Sequence, residues 1–512
     1  MTLPPLIVFA PLILLATAAL ALARPGRRPG ALARVAEAAA LAALAFGVAG
    51  LVQLVIAGPV TLAGLVRLDA VSATMVVLVC FVGWVVVRFA RSYLDGEARE
   101  GAFHGLLLAA LAAVSLQVQA ANLAVLALGF VATGVAIRQL LLFYPDRAEA
   151  RRAAMKFTLV WGAGDVALIL AALLLGQAFG TIDIAAVTQA AGAGLPFAAK
   201  LAVALLVIAA ALKTAAFPLH GWLTEVMEAP TPVSALLHAG IINGGGLLLI
   251  RLAEVVQASP GAMAALVMLG GLTAIFGAVV MLTQSAVKTA LAWSTVAQMG
   301  FLLLQCGLGL WALAMLHIVA HSLYKAHAFL ASGGAVRAVL AVRRPGPVAV
   351  PGLAAVARAF ALALVLYAGV AAGFSLIAGP KSAQALALGA ILIFGVAYLV
   401  AQGLADAAPR ALTRHTARAS LAAAVAYFGF HTLAAMLWGA HLPAPPAPGP
   451  LEWGLIVLAL GSFGLVAVAQ ALFPLWAHHP STAGLRVHLA NGLYLNAVLD
   501  RLIGGLKSAK SN

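Results

Sequence analysis

Apolar and polar positions along the chain do not alternate as they would in a soluble fold. Apolar runs follow one another with only short polar breaks, near 4–23, 36–58, 69–90, 102–117, 119–143, 156–178, 198–217, 232–256, 262–283, 291–308, 310–335, 352–377, 383–405, 419–441 and 452–476. Each is close to the roughly 20 residues a helix needs to cross a bilayer core, which predicts about fourteen or fifteen transmembrane helices. Three stretches break the rhythm. Residues 219–230 read as a short helix at the inner surface, with Glu225 and Glu228 as solvated or ion-admitting groups. Residues 442–451, LPAPPAPGPL, are too rich in proline to be helical. Residues 485–506, LRVHLANGLYLNAVLDRLIGGL, are amphipathic, with Asn491, Asn496 and Asp500 among apolar positions. They predict an inner-surface helix, or one that docks a partner.

The basic residues give the runs an orientation. With the N-terminus outside, the inner loops collect Arg24, Arg27, Arg28 and Arg34, then Arg91 and Arg99, then Arg147, Arg151, Arg152 and Lys156. They go on to collect Lys288, then Arg337, Arg343 and Arg344, then Arg410, Arg414 and Arg418. The outer side receives only Arg67, Lys200, Arg251 and Lys381. This is the positive-inside pattern. The first run has no basic residue before it and no clear cleavage site, so it is expected to stay as the first span. The expectation is an all-α polytopic protein of the bacterial cytoplasmic membrane: a helical bundle over 1–480, then a cytoplasmic amphipathic helix over 481–512.

Composition agrees. Of 512 residues, 64% are hydrophobic and 9% charged, with mean hydropathy +1.08, against about 25% charged in soluble domains. The net charge of +15 then sets topology and does not point to nucleic acid. Cys80 and Cys306 lie in apolar runs and imply neither disulfides nor a metal centre. No cofactor is expected.

Candidate chemistry lies in the ionisable groups at membrane depth, where each needs a reason. Residues 213–243, KTAAFPLHGWLTEVMEAPTPVSALLHAGIIN, place Lys213 five residues before Pro218. Proline should break the helix there, and broken helices within a membrane occur where the freed backbone is buried in protein or lines water. Lys213 is then either part of an ion pathway or a lysine snorkelling to the headgroups. His317, His321 and Lys325 recur every fourth residue and stack on one helix face. Imidazoles so placed can relay protons, since each ring has two nitrogens and titrates near neutrality. The plainer reading is three polar groups facing the bundle interior. Haem ligation would need facing histidines from two helices, and nothing else suggests a redox centre. Asp165 and His238 are lone ionisable groups in the sixth and eighth spans. With Lys213 and the histidine row they can form one polar line.

The order of KTAAFPLHGWLTEVMEAPTPVSALLHAG, AVKTALAWSTVAQMGF and HIVAHSLYKAHAFLASGG resembles the antiporter-like, proton-translocating membrane subunits of respiratory complex I and of multisubunit sodium/proton antiporters. The resemblance covers about residues 69–334. It implies inverted five-helix repeats, over about 69–405, each with one broken helix; the second break would fall near Gly373-Phe374-Ser375. It implies that Lys213 is the broken-helix lysine, His238 its neighbour, Lys288 a further pathway lysine, and His317, His321 and Lys325 a central relay. Two features depart from the family. Val131 stands where a glutamate usually pairs with the lysine, and Leu376 stands where a lysine usually follows the second break. The first departure predicts that Asp165 takes over as partner of Lys213. The motifs HAGIIN, FYPDR and HLANGLYLNAVLDRLIG are similar to one branch of the family, the membrane subunits of bacterial Dab inorganic-carbon uptake systems. That branch implies conduction of protons or sodium ions and a large peripheral zinc-binding partner of the DabA type, resembling a β-carbonic anhydrase. Two other expectations stay open: a subunit of a complex I-like or Mrp-like assembly, and a membrane anchor that conducts nothing.

Overall fold

The computed structural model describes residues 4–334, 351–403, 410–472, 476 and 479–502. Arg337, Arg343 and Arg344, and the end of the C-terminal helix at 503–506 with the tail beyond it, lie outside the described residues.

The helices run α1 (Phe9–Leu22), α2 (Leu32–Ala57), α3 (Ala70–Tyr93), α4 (Glu100–Val118), α5 (Leu123–Leu141), α6 (Ala148–Phe179), the short α7 (Ile184–Ala191) and α8 (Phe197–Lys213). Next come α9 (Gly221–Thr224), α10 (Thr231–Ala239), α11 (Gly244–Arg251), α12 (Ala253–Gln257), α13 (Pro260–Met281), α14 (Val287–Gly307) and α15 (Trp311–Leu330). The last six are α16 (Leu353–Ala378), α17 (Ala383–Gly403), α18 (Arg410–Trp438), α19 (Pro450–Ala471), α20 (Ala483–Ala490) and α21 (Leu495–Leu502). Every predicted span has its helix or helix pair. Eleven segments among the described residues are long and apolar enough on their own to cross a membrane, and Leu6–Leu22 and Ala383–Ala397 are shorter apolar helices. The one sheet described is a hairpin of β1 (Val60–Leu62) and β2 (Val66–Leu68), which the apolar pattern did not predict.

Packing follows membrane logic, in which small residues let backbones close up because burial of apolar surface no longer drives helix association. On α13 and α14, a Cβ on Gly270 would stand 2.4 Å from the Leu304 amide, and one on Gly300 2.3 Å from that of Ala274.

Loop contacts sort the breaks onto two faces. On one, the Gly101 amide donates to the Gly26 carbonyl, Arg99 to the Phe143 carbonyl and Gln284 to the Ala490 carbonyl. This is the face with the basic loops. On the other, the Arg67 amide donates to the Gln119 carbonyl, and the side chains of Gln257 and Gln384 pin the Pro-rich segment at Ala444 and Pro446. That segment is non-helical up to Pro450, as its prolines require.

On this second face the basic residues are not simply solvated. Asp69 caps α3 through the Ser72 amide and meets Arg251 at 2.6 Å and Arg67 at 3.1 Å. Burial pushes the Asp69 carboxyl up, but Arg251, the Ser72 amide and Arg67 outweigh it and hold the group below its ordinary value. Its contribution is therefore complete above the unfolded carboxylate value of about 4 and fades as pH falls through the lower folded one. Asp69→Asn should destabilise the protein by about 3–5 kcal/mol, because Arg251 then stays buried without a counter-charge. The check is thermal unfolding in detergent: the variant should melt lower at neutral pH, with the gap to the parent closing on strong acidification.

Three sequence expectations are corrected. The segment 219–230 reaches the basic face, where Glu228 is exposed, but is not a helix lying on that face. Trp222, Leu223 and Val226 are buried, because the break turns the chain into the bundle. The helix expected to break near Gly373-Phe374-Ser375 runs without interruption through α16 to Ala378, since the stretch holds no proline and a glycine alone leaves a helix continuous. The C-terminal helix is two helices, α20 and α21, joined at Gly492–Tyr494, where Leu493 and Tyr494 take φ of 54° and 58°.

Candidate functional site: a buried lysine–carboxylate pair and a histidine-lined cavity

The site begins where α8 stops. Lys213 is its last residue, and Ala215 just beyond takes φ 51°, an uncommon left-handed conformation for a residue with a Cβ. The freed backbone is caught within the protein: the Phe217 amide donates to Thr273 Oγ1 at 3.1 Å, and the Ala216 amide to the Ala211 carbonyl. The Lys213 side chain is fully buried, so it does not snorkel. Its Nζ lies 2.5 Å from Asp165 Oδ1, the partner expected from the missing glutamate. Gly164 makes the approach possible, with Lys213 Cγ 3.4 Å from where its Cβ would be. The ammonium also sits over the Trp161 ring at 4.1 Å and the Phe130 ring at 4.7 Å. Such contacts are worth most away from water.

Beyond Phe130, polar groups continue on α4, α5 and α15 and in the turn between α10 and α11. Thr133 Oγ1 reaches Gln117 Oε1 at 3.5 Å, and Asn243 Nδ2 donates to Ser322 Oγ at 2.9 Å. Between them lies a cavity of about 20 Å³ lined by Gln117, Thr133, Asn243 and Ser322, enough for one water. Asn243 Oδ1 is buried there without a protein partner.

The row on α15 follows. His317 Nδ1 is 2.7 Å from Gln305 Oε1, and the rings of His317 and His321 are 5.9 Å apart. His317 Nε2 and both nitrogens of His321 have no protein partner. Both rings line a cavity of about 650 Å³ bounded by α13–α15 and α17–α19. His317 and His321 are, with Gln298, Gln305, Tyr324 and Tyr427, the polar groups of a lining that is otherwise apolar. Lys325, fully buried, donates to the Leu291 carbonyl at 3.2 Å and does not line this cavity. His238 stacks on Phe329 at 4.3 Å, and its Nδ1 lies 3.1 Å from Thr295 Oγ1. Lys288 sits at the basic face, donating to Thr231 at 3.0 Å.

Glu225 is neither solvated nor free. It is held by Lys156 and by Asn496 of α21. Lys156, fully buried, also meets Asp500 at 2.7 Å and Asn496 at 3.0 Å. Glu228, by contrast, is exposed and 3.7 Å from Arg147. Lys156 reads in the sequence as one more inner-loop charge. The available signal was the i, i+4 spacing of Asn496 and Asp500, which puts both on one face of α21. Gln117, Thr133, Asn243 and Gln305 carry no charge and gave no signal beyond HAGIIN.

Fold and site together define a polytopic helical membrane protein with a buried lysine–carboxylate pair beside a helix break and a histidine row facing a cavity. Residues 120–404 match the family model described as NADH:quinone oxidoreductase/Mrp antiporter, TM, and residues 57–104 the one described as NADH-Ubiquinone oxidoreductase (complex I), chain 5 N-terminus. The chain belongs to this family. It is 35% identical over 452 residues to the probable inorganic carbon transporter subunit DabB2 of Halothiobacillus neapolitanus, over 85% of this chain and 79% of that one. It is 42% identical over 274 residues to the probable inorganic carbon transporter subunit DabB of Hydrogenovibrio crunogenus, over 53% of each chain. It is also 31% identical over 453 residues to NADH-quinone oxidoreductase subunit L of Mycobacterium tuberculosis, over 84% of this chain and 68% of that one. Among solved structures, a chain of the Mrp complex from Dietzia sp. DQ12-45-1b shares the fold at TM-score 0.64 and 22% identity, over 98% of this chain and 60% of that one.

Proposed function

We propose that this chain is a cation-conducting membrane subunit, carrying protons in preference to sodium ions, in an energy-coupled inorganic-carbon uptake complex. The observation that carries the reading is the fully buried Lys213 on Asp165 beside a broken helix, in a bundle that also holds a histidine-lined cavity. A lysine whose only anionic partner is one carboxylate can hand over its proton when that partner is neutralised or turned away. Asn243 and the water-sized cavity beside it lead toward α15, where His317 and His321 can pass a proton to cavity water. Lys325, His238 and Lys288 supply further charge and hydrogen bonding along the same helices. The similarity to subunits named as inorganic carbon transporters supports a peripheral partner that carries the hydration chemistry, of the zinc-binding, carbonic-anhydrase-like type. Protons moving inward would then drive bicarbonate accumulation. The basic face supports an N-terminus outside and a C-terminus in the cytoplasm.

The test is uptake of labelled inorganic carbon by cells carrying the whole complex. A protonophore should abolish it, and Lys213→Ala should do the same while the partner still co-purifies. Uptake that persists in either case would sink the reading and favour a passive anchor.

A further inference from the structure

In the second half of the bundle, the last turn of α16 carries Leu376 and Ile377, which point away from the protein at 89% and 86% exposure. Among the described side chains in the middle of α16–α19, the ionisable ones are Tyr367, Tyr427 and His431. Both tyrosine hydroxyls are committed, donating to the carbonyls of Leu386 and Ala385. His431 Nδ1 is buried and has no protein partner. The residue lies on α18 one turn beyond Tyr427, ring centroids 6.3 Å apart, and directly after Phe430. Tyr427 and Phe430 both line the cavity into which His317 and His321 face. Further along α18, Trp438 donates to Thr74 in the first turns of α3, on the face opposite the basic loops. Lys381 stands in the α16–α17 connection on that face, three residues before Gln384, whose side chain holds Pro446.

We infer that His431 is a proton-carrying residue that links the histidine-lined cavity to the face bearing Lys381. The inference rests on the conduction reading above and adds a route out of the cavity. An imidazole can take a proton at one nitrogen from cavity water while releasing one from the other nitrogen to water on the Lys381 side, so no net charge need stay in the bundle. The groups that bear on it are Tyr427 beside it, Lys381 beyond it, and His317 and His321 across the cavity.

The test uses the assembled complex in liposomes, with an internal pH dye and an imposed potential. His431→Ala should lower proton flux roughly tenfold or more, and imidazole added on the Lys381 side should restore a measurable part of it. His431→Gln should show the same loss with an unchanged melting temperature and no rescue. The proposal is overturned if His431→Gln keeps flux within about twofold of the parent while Lys213→Ala abolishes it. It is also overturned if the alanine variant loses both flux and stability and imidazole restores nothing. If neither Lys213→Ala nor His431→Ala alters flux, conduction itself fails, and this inference with it.

Discussion

Replacing Asp165 with asparagine should stop cation flux outright and lower the stability of the protein by about 3–5 kcal/mol. Both effects have one cause. Lys213 is fully buried, and the 2.5 Å contact with Asp165 is its only ion pair among the described residues. Asparagine keeps the shape but leaves the ammonium facing only Trp161, Phe130 and an amide. The lysine can escape that cost only by losing its proton, and it then no longer switches. Asp165→Asn with Lys213→Met removes both charges, so stability should largely return while flux does not. That non-additivity separates the pair's contribution to folding from its role in transport. The measurements are melting in detergent and proton flux in liposomes for both single variants and the double. Near-normal flux in Asp165→Asn would remove the pair from the pathway.

The second large effect is expected at the basic face. Lys156→Ala should free the C-terminal helix and destabilise the chain by a similar amount, about 3–5 kcal/mol. Lys156 is the shared counter-ion of Glu225 and Asp500, and without it two carboxylates face each other across Asn496. The packing around them is close. A Cβ on Gly221 would stand 1.9 Å from Asn496 Oδ1, and one on Gly492 3.1 Å from the Trp293 ring, so α21 seats against the residues just after the helix break. Once released, α21 should become accessible, which limited proteolysis and amide exchange over 483–502 would register. Asp500→Asn should have a smaller effect in the same direction, since Glu225 and Asn496 still hold the lysine. A C-terminus equally protected in Lys156→Ala and the parent would show that apolar packing, not the ion cluster, holds it.

The site was partly legible in the sequence. The rhythm of apolar runs gives the helices, because a bilayer forces every span to satisfy its own backbone over a fixed thickness. Pro218 gives the break, and the spacing of His317, His321 and Lys325 gives their shared face. The loss of a glutamate at Val131 even points to the lysine's partner, because a lysine at that depth needs a carboxylate and Asp165 is the one in the sixth span. Proline positions and i, i+4 periodicity are local properties, and a chain carries them before it folds.

The tertiary structure decided what those groups meet. Lys156, an inner-loop charge by sequence, becomes fully buried because Glu225 and Asp500, distant along the chain, converge on it. Glu225 ceases to be a solvated acid for the same reason. Arg251 looked like an outer-loop charge and is instead paired with Asp69 across 182 positions of chain. His431 gave no signal in a run of apolar residues until packing left its Nδ1 unpartnered one turn from a cavity-lining tyrosine. The helix expected to break near Gly373 does not, because glycine permits a bend but only a missing donor or a clash compels one. Sequence thus determined which segments span the membrane, where one helix must break and which ionisable groups share a helix face at membrane depth. Folding alone determined the pairing, since an ion pair depends on distance and burial, and neither exists along an extended chain.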